Sequence, residues 1–238
     1  MRFNNCVFLV AALAMSSGTG VMAQTAASAV NTASMQPEVA FKFERNGLPV
    51  PRYTIMLRED GTGRYQADEA VASPSTQSSS AMQYTGGKHI DRPITLSPAT
   101  TQKIFKTTRA LNFFNVECAS KAKNIANTGD KTLSYAGSDG KGSCEYNYSD
   151  NKNVTMLTDM FLAIAFTLDE GRRLEFLHRF DHLGMDAEIN SLANEVQAGR
   201  AMELGTIAPT LDAIAGDGAL MQRVRLRAEK LLEQSKDK

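Results

Sequence analysis

Apolar residues alternate with polar ones at Val39, Phe41 and Phe43, and again at Tyr53, Ile55 and Leu57. A period of two puts every second side chain on one face, so each run predicts a half-buried strand. Asp60-Gly61 between the second run and Arg64-Tyr65 predicts a tight hairpin turn, because that pair readily takes positive φ. A further short strand is expected within Gln83–Leu96. Leu133 and Tyr135, then Cys144, Tyr146 and Tyr148, alternate on either side of the Gly-rich Ser138–Gly142, a second hairpin signal. Val116 and Cys118 read as an extended opening to that region.

Two stretches change to helical spacing. Ser97-Pro98 supplies an N-cap and a first-turn proline, and Ile104, Phe105, Thr108 and Leu111 form the inner stripe behind it. From Val154, Leu157, Phe161, Ile164 and Leu168 recur at three or four residues, and after Gly171 the pattern resumes with Leu174, Leu177 and Phe180. Those last three are expected on the buried side, with Gly184 as C-terminal cap. Beyond Gly184 the chain has no aromatic residue, and Gly205, Gly216 and Gly218 separate aliphatic patches into three short helices. The expected fold is α+β: an antiparallel sheet of six or seven short strands packed by two helices (residues 38–184), followed by a C-terminal helical appendage (185–238).

The N-terminus alters the picture. Arg2, the apolar run Cys6–Met15 and the small-x-small triplet Val21-Met22-Ala23 have the layout of a secretory signal peptide (1–23) cleaved before Gln24. The apolar run is about half of the roughly 20 residues that a membrane span needs, so no integral membrane segment is expected after cleavage. Residues 24–37 are small and polar and read as a flexible lead-in, and Ala72–Met82 as a Ser-rich loop. A secreted or periplasmic location follows. In such an oxidising compartment Cys118 and Cys144, the two cysteines outside the leader, are expected to form a disulfide worth about 3–4 kcal/mol. The alternative is a pair of free buried thiols.

Charge excludes one class of partner. With 26 basic and 26 acidic residues the chain lacks the concentrated positive charge that nucleic acid requires.

Pro51-Arg52-Tyr53-Thr54-Ile55, the turn Glu59–Gly63 with Arg64-Tyr65, and Leu96-Ser97-Pro98 before a helix ending in Phe113-Phe114 together resemble a class of small secreted bacterial domains with no assigned function. The resemblance implies a sheet-plus-helix domain outside the cell and brings no catalytic residues with it.

Candidate chemistry is sparse. Glu175, His178 and His182 form Glu-x-x-His-x-x-x-His, three potential metal ligands on one helix face. In a zinc-hydrolase helix a general-base glutamate follows the first histidine. Here that position is Arg179, so the pair reads more simply as the polar end of a helix, where cationic histidine is favoured by the helix dipole. Ser138-Asp139-Gly140-Lys141 spells Ser-x-x-Lys but falls at a hairpin tip rather than a helix start. No catalytic residue and no cofactor is assigned. The reading from sequence is a non-enzymatic binding or interaction module, with a protein partner docking through the C-terminal helices and the basic residues Arg223, Arg225, Arg227 and Lys230; the alternative is a metal-dependent hydrolase using the Glu175, His178 and His182 face.

Overall fold

The computed structural model describes residues 36–70 and 88–236. The leader, nearly all of the lead-in and the Ser-rich loop expected from the sequence lie outside them. Six antiparallel strands form one sheet: β1 (Glu38–Glu44), β2 (Arg52–Arg58), β3 (Thr62–Asp68), β4 (His89–Thr95), β5 (Asp130–Gly137) and β6 (Gly140–Tyr146), in the order β4-β3-β2-β1-β5-β6. Phe41 lies opposite Ile55 on one side and Leu133 on the other, so the apolar positions of neighbouring strands stack into one buried face. The opposite face carries Lys42, Thr54, Arg64, Gln66, Asp91 and Thr132, with Arg64 and Asp91 paired at 2.7 Å across β3 and β4. The sheet thus has one packed side and one wet side, as the alternation predicts. Gly61 holds φ +85° in the β2–β3 turn, the conformation that the Asp-Gly pair supplies.

Two helices cover the apolar face. In α1 (Pro98–Ala110) the Ser97 hydroxyl accepts from the Thr100 amide, and Ile104, Phe105 and Thr108 are buried. The longer α2 (Lys152–Phe180) is capped by Asn151 and runs without a break. Phe161 of α2 stacks on Phe41 of β1, ring centroids 5.0 Å apart and planes within 5°. At Gly171 another segment comes close: a Cβ there would lie 2.2 Å from Ile207 Cγ2. The missing side chain lets the helix and the Ile207 turn touch.

Helices α3 (Met185–Gln197), α4 (Ala208–Gly216) and α5 (Gln222–Lys236) bury Ile189, Leu192, Leu211, Ile214, Val224 and Leu231 in a second apolar cluster. Leu174 and Leu177 of α2 belong to this cluster, so one helix serves both cores. Glu203 also ties the two parts together. Its carboxylate accepts from the Ser97 amide and hydroxyl, both at 2.7 Å, and from the Thr100 hydroxyl, an anion at the start of α1.

Some expectations are corrected. Gly184 does not cap the end of α2, where Asp181 is the cap, but precedes α3 as its N-cap. Phe180 is 67% exposed, not buried, because the last turn of α2 has passed both cores. The segment around Val116 and Cys118 is a loop rather than a strand, fixed by the Cys118–Cys144 disulfide and by the Ser120 amide donating to the Tyr148 carbonyl at 2.8 Å. No helix among the described residues is long and apolar enough to cross a membrane.

Candidate functional site

Along α2, Leu162, Phe166, Asp169, Arg173, Phe176 and Phe180 recur at alternating intervals of four and three, which places them on one ridge. This ridge forms one wall of a cleft of about 770 Å³. The opposite wall is Leu48-Pro49-Val50 in the β1–β2 connection, together with Phe43, Tyr53, Glu69, Lys88 and Arg92. The connection is held by two backbone bonds: the Arg45 amide to the Pro51 carbonyl at 2.7 Å, and the Ala70 amide to the Pro49 carbonyl at 2.8 Å. A volume of this size falls in the range of small-molecule sites, about 300–1,000 Å³.

Polar groups sit in the middle of the cleft, and most are already matched. Arg92 donates to both carboxylate oxygens of Glu175, at 2.9 and 2.6 Å, and holds that carboxyl below the usual range. Arg172 donates to Glu69 at 2.9 Å and lies 3.5 Å from Asp169. The Tyr65 hydroxyl donates to Asp169 at 2.8 Å, though burial still leaves the Asp169 carboxyl above its ordinary value. Arg173 reaches out of the cleft to Glu188 of α3 at 2.9 Å. Arg172 Nε is a buried donor without a hydrogen-bond acceptor among the described residues.

Glu170 is the unusual carboxyl. Burial first, then the neighbouring Glu188 carboxyl, raises it from 4.5 to about 8; Arg173 acts in the opposite sense and Asp169 adds to the rise. The folded protein therefore holds a proton on Glu170 that the unfolded chain releases in the ordinary carboxylate range. The resulting stabilisation is fully present below that range and is lost as pH rises through about 8. Glu170→Gln should abolish this component: between pH 6 and pH 9 the wild-type melting temperature should fall by about 2–4 °C more than the variant's, about 1 kcal/mol after solvent screening of a half-exposed group. Parallel melting curves across that interval would remove Glu170 as the cause.

The three residues of the metal reading have partners elsewhere. Glu175 is clamped by Arg92 and also accepts from the Thr210 hydroxyl at 3.2 Å. His178 Nε2 lies 2.9 Å from Asp217, and His182 Nε2 donates to the His178 carbonyl at 2.8 Å. The imidazoles share a face, as their spacing requires, with centroids 6.1 Å apart. Among the described residues no group of three His, Cys, Asp or Glu side chains could hold a metal ion. Ser138 and Lys141 flank the β5–β6 turn, where Asp139 accepts from Tyr135 and Arg109. Arg223 of the basic C-terminal set pairs with Asp186 of α3 at 2.8 Å.

Of the residues that line the cleft, Glu175 was singled out by motif, though as a metal ligand. A further signal was the run Asp169-Glu170-Gly171-Arg172-Arg173, four charges directly after the largely apolar stretch Met160–Leu168 of the helix. Among the described residues, the cleft lining offers shape, aromatic surface and fixed charge, with Tyr53 as its hydroxyl-bearing side chain and no serine, threonine, cysteine or histidine. Comparison with protein-family models and with curated proteins finds no match.

Proposed function

We propose that the chain is a binding module that works outside the cytoplasm, secreted or periplasmic, and that the cleft along α2 is its ligand site. The observation that carries this reading is the combination within one concavity of aromatic and aliphatic walls with ion pairs already closed on one another. Arg92–Glu175 and Arg172–Glu69 fix the walls of the cleft, and the aromatic and aliphatic side chains between them supply most of its remaining surface. The apolar faces of α3, α4 and α5 are occupied by their own cluster, which favours the cleft over the C-terminal helices as the recognition surface. The export signal of the N-terminus and the Cys118–Cys144 bond support the location.

A neutral apolar fluorophore, N-phenyl-1-naphthylamine, tests the site. The folded chain should enhance its emission saturably with a stoichiometry of one. Phe176→Asp alters a side chain that is 59% exposed, so it should leave the melting temperature unchanged and weaken binding by about tenfold. Emission that never saturates, or that ignores Phe176→Asp, would sink the assignment.

A further inference from the structure

The cleft's charges can be followed one by one. Lys88, Arg92, Arg172, Arg173 and Arg179 line it, against Glu69, Asp169, Glu170 and Glu175. Arg92, Arg172 and Arg173 each have a carboxylate partner. Burial and the neighbouring Glu188 carboxyl push Glu170 toward its neutral form. Asp169 accepts from Tyr65 and shares Arg172 with Glu69, at 3.5 Å against 2.9 Å. Lys88 and Arg179 remain: both are exposed, and neither has a carboxylate within ion-pair distance among the described residues. Arg179 lies 5.8 Å over the Phe180 ring, at the end of the aromatic part of the ridge, where Phe176 and Phe180 pack at 5.2 Å. Lys88 sits where the chain enters β4, its carbonyl bonded to the Glu69 amide at 3.0 Å. The concavity therefore offers apolar walls and two cations without anions.

Resting on the binding-module reading above, we propose that the ligand is an amphiphile of the long-chain carboxylate class. Its chain lies between Leu48-Pro49-Val50 and Phe166 and Phe176, and its single negative head is met by one of the two cations, Lys88 at one end of the cleft or Arg179 at the end of the aromatic ridge. A neutral apolar molecule would leave both cations unanswered, and a cationic amphiphile would be repelled by them. A charge-assisted contact at such a site is worth about tenfold in affinity.

The test displaces N-phenyl-1-naphthylamine from the full chain at pH 7.5 with three matched probes below their aggregation limits: dodecanoate, dodecan-1-ol and dodecylamine. Dodecanoate should displace at a concentration about tenfold lower than the alcohol, with the amine weakest. The Lys88→Met and Arg179→Met double variant should bring acid and alcohol together, and raised salt should do the same in part. Equal displacement by acid and alcohol in the wild type would overturn the carboxylate class and leave the apolar cleft standing. A preference that survives the double variant would overturn Lys88 and Arg179 as its source. Failure of all three probes, together with reporter emission indifferent to Phe176→Asp, would overturn the cleft itself.

Discussion

Phe161→Ala should lower stability by about 3–5 kcal/mol, the loss expected when a fully buried aromatic ring leaves a cavity that cannot close. Phe161 has no exposed surface and stacks on Phe41, which is likewise fully buried. Phe41 sits on β1, a strand held between β2 and β5, so the sheet side of the void is rigid. On the helix side Leu157 and Ile164 are also fully buried, and they keep α2 from sinking into the gap. Phe176→Ala, on the same helix, provides the contrast. With 59% of its surface exposed, that residue should change stability by no more than about 0.5 kcal/mol while reducing ligand binding. Urea unfolding of both variants measures the difference. A Phe161→Ala loss below about 1 kcal/mol would mean that α2 is not pinned to the sheet through this ring, and the wall of the cleft would need another support.

The elements that could be read from sequence are those whose partners impose a regular period. Val39, Phe41 and Phe43 alternate because α2 and the neighbouring strands meet every second side chain, and Ser97 starts α1 because its hydroxyl answers a free amide. Phe180 misled because Leu174, Leu177 and Phe180 share one spacing, whereas only the first two still have a core beneath them. Gly171 lies within the one long helix, where the lack of a side chain admits close contact with Ile207. The cleft escaped notice for a different reason. Asp169, Arg172 and Glu175 acquire their roles from Tyr65, Glu69 and Arg92, which lie 104, 103 and 83 residues away in the chain. No local pattern encodes such pairings. The metal reading of Glu175, His178 and His182 was a local pattern of the opposite sort, correct about the shared face and blind to Arg92 and Asp217.

Replacing both Cys118 and Cys144 with serine should cost about 3–4 kcal/mol, or about 10 °C in melting temperature for a chain of this size. The bond spans 26 residues and joins the loop after α1 to β6, an edge strand of the sheet. Without it the loop keeps few anchors: Asn115 donating to the Lys141 carbonyl, Ser120 to Tyr148, and the Asn147 side chain holding Ala126 and Thr128. Both sulfurs are nearly inaccessible in the folded chain, so serine at either place also buries a hydroxyl. The double Cys→Ala variant separates these effects, because it removes the crosslink without adding a polar group. It should retain most of the loss, and it should still bind N-phenyl-1-naphthylamine below its melting temperature, since neither cysteine lines the cleft. The same pair of thiols reports on location. Chain recovered from its native cells should resist alkylation until a reductant is added, and its intact mass should begin near Gln24. Sulfurs that alkylate freely, on a chain that still carries its leader, would end the proposal of an extracytoplasmic role while leaving the sheet, its two helices and the cleft as they are.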